Sequence, residues 1–198
     1  MFPLQILAAH CASQIGRQIN TLPHELQGLV SKLKENDIVR LAKAGQTQII
    51  HALLALNKAQ PEQDDLDDAL QMAAEYGRTE TVRLLLDRGA NIHADNDYAL
   101  HWAAENGHSE TVGFLLDRGA YIHVCDDYAL CWAAENGRTE TVRLLLDCGV
   151  DIHASDDYAV RWAVVYGHTE TVRLLLDRGS NINALSEDRQ KWVRENVQ

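Results

Sequence analysis

A chain of 198 residues with 46% hydrophobic and 24% charged residues has the composition of a folded protein rather than a disordered one. Its 29 acidic and 18 basic residues leave a net charge of -11, which argues against nucleic acid as a ligand, since a phosphate backbone calls for a basic face. The longest apolar runs, such as Leu84 to Leu86, fall far short of the ~20 residues a membrane span needs, so no membrane partner is expected.

In chain order, Leu4, Ile6, Leu7, Ala8, Cys11 and Ile15 recur at spacings near three and four, which predicts an amphipathic helix over 3–19. No basic residue precedes that stretch, so a secretory signal is not expected. Pro23 stands near the start of a second helix, over 24–34, whose Leu26, Leu29, Val30 and Leu33 share one face. The segment 36–66 follows. Matching its Gly45 to Gly77 brings Ile50 onto Val82, and Leu53 and Leu54 onto Leu85 and Leu86. It is read as a degenerate first copy of the unit that fills the rest of the chain, with extra residues around Pro61.

That unit is thirty residues long and recurs at 67–96, 97–126, 127–156 and 157–186. Gly77, Gly107, Gly137 and Gly167 form one column, and Gly89, Gly119, Gly149 and Gly179 another. A fixed period of this size signals a stacked array in which each unit buries its apolar face against its neighbours, and it predicts one elongated body. Within the unit, Asp97, Asp127 and Asp157 stand where an N-cap is wanted, ahead of a short helix such as Ala99, Leu100, Trp102, Ala103 and Ala104. A second helix opens at Thr-Glu or Ser-Glu and ends at Gly89 and its equivalents, the left-handed stop. Helices this short are marginal alone in water, so stacking has to stabilise them.

All four tryptophans, Trp102, Trp132, Trp162 and Trp192, share a further column. They are expected to be packed, so that Trp132→Ala should cost ~3 to 5 kcal/mol. Trp192 opens a polar partial unit over 187–198 that reads as a capping helix.

The residues Ala99-Leu100-His101-x-Ala103-Ala104, Gly107-His108-x-Glu110-x-Val112, Leu115-Leu116 and Gly119-Ala120-x-Ile122 resemble the ankyrin repeat. The resemblance covers 67–186 strongly, and 36–66 and 187–197 weakly. It implies an all-α ankyrin-repeat solenoid of stacked helix-turn-helix units with helical end caps. This unit lacks three residues of the usual 33, and Tyr98-Ala99 stand where Thr-Pro is the rule, so shortened hairpin loops are expected. Short tandem units of this kind are similar to those in ankyrin proteins of giant viruses and some intracellular bacteria, which points to a host-directed role.

The resemblance also implies a non-enzymatic module that binds a protein partner through loop tips and the concave, first-helix face. The loop columns hold Asn91, Tyr121, Asp151 and Asn181, then Asp95, Cys125, Ser155 and Leu185. The first-helix column holds Gln71, His101, Cys131 and Arg161, which differ from copy to copy while the packing columns repeat. Tyr98, Tyr128 and Tyr158 are constant, and serve either loop packing or ligand contact.

Chemistry other than binding finds little support. His93, His123 and His153 form a column, but stacked units lie roughly 8 to 10 Å apart, whereas one zinc needs ligands near 2 Å. In the family this position holds an Asn bonded to the hairpin backbone, as Asn183 does, so the histidines are expected to be structural and no metal or cofactor is expected. No nucleophile is paired by motif with a base, and no phosphate loop follows a strand. Cys11, Cys125, Cys131 and Cys148 form neither C-x-x-C pairs nor a disulfide framework, which fits a reducing interior, cytoplasmic or nuclear. Acidic pairs such as Asp126-Asp127 and Asp156-Asp157 read as caps and solvated charges, or as a stripe that attracts a basic protein surface.

The second reading concerns residues 1–35. Leu22, Pro23, Glu25, Leu26, Val30 and Leu33, continued by Asp37, Ile38, Arg40 and Leu41, resemble an F-box. That resemblance implies docking on the Skp-type adaptor of cullin ubiquitin ligases, with the repeats recruiting substrate. The competing reading of residues 1–35 is a helical cap that shields the array.

Overall fold

The computed structural model describes residues 37–56, 61–125 and 127–197, so the helices expected over 3–19 and 24–34 lie outside the described residues. Its helices are α1 (Asp37–Lys43), α2 (Thr47–Leu56), α3 (Gln63–Glu75), α4 (Thr79–Asp87), α5 (Tyr98–Asn106), α6 (Ser109–Asp117), α7 (Tyr128–Glu135), α8 (Thr139–Asp147), α9 (Ala154–Val165), α10 (Thr169–Asp177) and α11 (Glu187–Asn196). A 3-10 turn at Ile182–Ala184 precedes α11. Among the described residues there is no strand, and the fold is all-α. The chain divides into two compact units, one ending at Asn91 and one starting at Ile92.

In the first unit α1 packs on α3 and α2 on α4. Ile38, Leu41, Ile49, Ile50, Leu53, Leu70, Ala73, Ala74, Val82 and Leu85 form its core. Gly45 and Gly77 both adopt left-handed backbone, with φ of 67° and 62°, as their alignment implies.

In the second unit α5, α7 and α9 stack in sequence, and α6, α8 and α10 stack in a second row. The core is drawn from the same positions of each copy: Ala99, Leu100, Ala103 and Ala104 on α5, Ala129, Leu130, Ala133 and Ala134 on α7, with Val112, Leu115, Val142, Leu145, Val172 and Leu175 from the second row. Small alanines bring the helices close together and the leucines fill what remains, so each helix packs both on its partner within the copy and on its equivalent in the next. Beneath them a hydroxyl ladder links copies: Ser109 to Thr141 at 2.9 Å and Thr139 to Thr171 at 2.8 Å. The polar helix α11 has Val193 as its buried residue, in keeping with a cap that has one wet face.

Each second helix stops as expected. Gly119 (φ 96°) donates to the Leu116 carbonyl and Ala120 to the Leu115 carbonyl, which satisfies the last orphan acceptors of α6. The other glycine column has a different duty. A Cβ on Gly137 would stand 2.5 Å from Nδ1 of His168, whose Nε2 lies 2.8 Å from the Glu135 carbonyl oxygen and donates to it. Arg138 does the same one copy earlier, its Nε donating to the Glu105 carbonyl at 3.0 Å. Glycine therefore leaves room for the next copy to close the end of the preceding first helix.

Two expectations need correction. Asp97 and Asp127 stand ahead of their helices but do not cap them: both are left-handed, with φ of 57° and 56°, and neither side chain bonds to the helix it precedes. A capping carboxylate needs extended backbone to fold back on its own helix, whereas left-handed backbone aims it away. Nor are the tryptophans a buried column. Trp132 is 39% exposed, and Trp102, Trp162 and Trp192 are half-buried. The inward face of each first helix is already filled by its alanines with a leucine or valine, so the indole is left at the margin of the core. Trp132→Ala should then cost about what surface substitutions do, within ~0.5 to 1 kcal/mol.

Candidate functional site

The loop tips are built from residues in uncommon conformations. Asp95, Asn96 and Asp97 are left-handed in succession, with φ of 51°, 60° and 57°, and so are Ser155, Asp156 and Asp157, with φ of 52°, 58° and 58°. Asp and Asn tolerate this region because their short polar side chains bond locally, but a run of three needs outside support. The aspartate column supplies it. Asp97 Oδ1 accepts from the Tyr121 N–H at 2.9 Å, Asp127 Oδ2 from the Asp151 N–H at 2.8 Å, and Asp157 Oδ1 from the Asn181 N–H at 3.4 Å. In the first unit Asp67 takes the Asn91 N–H at 2.6 Å.

The histidine column completes the device. Nδ1 of His93, His123 and His153 lies 3.0, 2.8 and 2.7 Å from the carboxylates of Asp97, Asp127 and Asp157. The partner of each histidine is thus the carboxylate four residues on rather than hairpin backbone. Among the described residues no cluster of metal-ligating side chains occurs. The acidic-stripe reading loses its inner members: Asp97 is 1% and Asp127 4% exposed.

On the outer side of α5 and α7 lies an open groove of about 230 Å³, lined by Tyr98, His101, Trp102, Glu105, Cys125, Tyr128 and Trp132. Its walls are mainly aromatic. Tyr98 stands edge-on to Trp102 at 5.7 Å and 78°, and His101 lies 6.4 Å from Tyr128. Tyr98 and Tyr128 are 45% and 46% exposed, so the rings face solvent. Burial pushes the His101 imidazole below its ordinary value, against the pull of the Asp97 carboxylate, and the ring is neutral at pH 7. The charged lining residue is Glu105.

One copy later the same positions are arranged differently. The Tyr158 hydroxyl donates to Glu135 Oε2 at 2.8 Å, which lays the tyrosine over the carboxylate that corresponds to Glu105. Burial, and then that bond, push the Tyr158 phenol well up. Tyr158 also lies beside Cys131, which is 2% exposed.

The structure thus brings Tyr98, His101, Cys125 and Tyr128 together around one groove. It removes Cys131 from the candidate surface, since this small side chain faces into α7 packing, and it buries Leu185 (5% exposed). Arg161 is exposed and donates to the Asp156 carbonyl at 3.2 Å. Tyr121 is 61% exposed and stacks on His93 at 4.1 Å. Asp95, Ser155, Asp151 and Asn181 are exposed at the loop tips; Asp151 accepts from the His153 N–H and Asn181 from the Asn183 N–H. In the first unit Gln71 is half-buried on α3 and Asn91 is exposed.

Leu22, Pro23, Glu25, Leu26, Val30 and Leu33 lie outside the described residues. The continuation of that motif falls in α1, where Ile38 and Leu41 are core residues and Arg40 pairs with Asp37 at 2.9 Å.

Trp102, Glu105 and Trp132 were not among the candidates, yet the helical period marks them. At about 100° per residue, 98, 101, 102 and 105 fall within roughly one third of the helix circumference, opposite Ala99, Leu100, Ala103 and Ala104. A face that is aromatic and outward differs from an aromatic core.

A comparison with curated proteins gave no significant match. A family model described as ankyrin repeats (3 copies) matches residues 38–126 and 122–186, well over half of the chain. No described helix is long and apolar enough to cross a membrane. With its helix pairs, left-handed glycine stops and copy-to-copy packing in agreement, this chain belongs to the ankyrin-repeat family.

Proposed function

We propose that the chain is a non-enzymatic protein-binding module that engages a protein partner through its loop tips and first-helix face, as ankyrin repeats generally do. The observation that supports this reading most is the outward aromatic groove of Tyr98, Trp102, Tyr128 and Trp132. Aromatic side chains cover much area at low cost in rotamer entropy and concentrate at interface centres, and here they stand on paired helices whose loops are fastened by buried aspartates. Free thiols at Cys125 and Cys148 fit work in a reducing interior, and the shortened unit fits the viral and bacterial variety of the repeat.

Affinity capture from a eukaryotic lysate with the full chain and with a Tyr128→Ala, Trp132→Ala double variant tests it. The expected outcome is a set of captured proteins that the variant loses while it melts close to the parent. Identical sets from both would rule out this face. The F-box adaptor reading rests on sequence alone. A Leu22→Ala, Pro23→Ala double variant separates it, since it requires loss of a Skp-type adaptor with other captured proteins retained.

A further inference from the structure

We propose that Val165 and Tyr166, at the end of α9, form a contact between two copies of this chain. The inference goes beyond the protein-binding reading and does not rest on it. The column of residue 165 holds Glu75, Glu105 and Glu135 in the other copies, and that of residue 166 holds Tyr76, Asn106 and Asn136. Copies with Glu and Asn there fold in the same way, so packing within the array does not call for an apolar pair. Asn106 and Asn136 also close their helices, each Nδ2 donating to the carbonyl of Trp102 or Trp132 at 3.0 Å, a bond that Tyr166 cannot make. Yet Val165 is 39% and Tyr166 54% exposed, beside the half-buried Trp162. Adjoining apolar side chains that stand in water where the repeat offers polar ones mark a surface that another molecule covers.

The exposed ring is held ready. Tyr166 stacks on Trp162 at 5.8 Å and 27° and on His168 at 6.2 Å and 26°, and Tyr158 lies 5.5 Å from Trp162. Three rings therefore back it, and little rotamer freedom is left to lose on contact. Tyr76 has the same place in the first unit, but it is half-buried and Lys43 Nζ stands 4.5 Å over its ring.

Charge selects the occupant. Over 157–198 six acidic and six basic residues cancel, so the whole of the -11 lies in 1–156. A basic partner is drawn to the acidic part of the chain, whereas a second copy is repelled there and meets no net charge over 157–198. Arg161, one turn before Val165, is drawn back to the Asp156 carbonyl at 3.2 Å. A two-fold contact sets a patch against itself, and uncharged side chains with stacked rings are complementary to their own copy.

The test is sedimentation equilibrium of the full chain. A patch this small gives a weak dimer, with a dissociation constant on the order of 10 to 100 µM. Raising NaCl from about 50 to 500 mM should leave the dimer as tight or tighten it, since the contact is apolar and the rest of the two copies repel. The double variant Val165→Glu, Tyr166→Asn restores the residues of copies that fold, and should weaken the dimer at least about ten-fold while it melts close to the parent. Val165→Lys, a single exposed change that sets like charges together at the contact, should do the same, and it decides alone if the double variant unfolds. A chain still monomeric at roughly 500 µM, well above the expected constant, leaves this face to a different protein and overturns the proposal. A dimer unchanged in the variants, a dimer that salt dissociates, or association that continues past two copies would each overturn it as well.

Discussion

Two neighbouring grooves on the second unit carry almost the same residues and end in different states. Between α5 and α7, Tyr98, Trp102 and Glu105 face Tyr128 and Trp132 across an open cleft. Between α7 and α9, Tyr128, Trp132 and Glu135 face Tyr158 and Trp162, but the Tyr158 hydroxyl reaches Glu135 at 2.8 Å. The two differ at 101 against 131 and at 125 against 155: His101 is half-buried with its ring 6.4 Å from Tyr128, whereas Cys131 is buried beside Tyr158. Tyr128 is 46% exposed and Tyr158 half-buried. In a repeat array, then, a constant aromatic column can stand exposed in one copy and lie against its neighbour in the next without any change in the packing columns.

The largest expected effect removes the element that both grooves share. Leu130 is fully buried on α7, so Leu130→Ala should cost about 2 to 5 kcal/mol and lower the melting temperature by several degrees. A loss under about 1 kcal/mol would mean that α7 is not held by its core face.

A smaller effect acts on the second groove. Tyr158→Phe deletes the hydroxyl that bonds Glu135 and should cost about 0.5 to 1.5 kcal/mol in thermal stability. A melting temperature equal to the parent's would show that this bond contributes nothing to folding. The smallest effect comes from pH. The His101 imidazole is held below its unfolded value near 6.5, so the unfolded chain takes up the proton first on acidification. Its contribution is present in full above about pH 6.5 and is lost as pH falls through the folded value. Melting curves of His101→Gln should be flatter than the parent's between roughly pH 7 and 5.

The sequence alone determined the repeat, its helix pairs and its glycine stops, because these depend on local signals: a period of thirty residues, an apolar face at helical spacing and glycine where backbone turns left-handed. It also marked Tyr98, His101, Cys125 and Tyr128, which share the open groove. What it left undecided was direction. Asp97 and Asp127 read as helix caps, and only the left-handed backbone around them turns their carboxylates toward the following loop, 24 residues on. The tryptophan column read as core, because a large apolar residue at a fixed period has the same pattern whether it faces a neighbour or water. Which face remains exposed depends on how closely alanine-lined helices approach one another. Those are distances between copies, and they exist only once the copies are stacked.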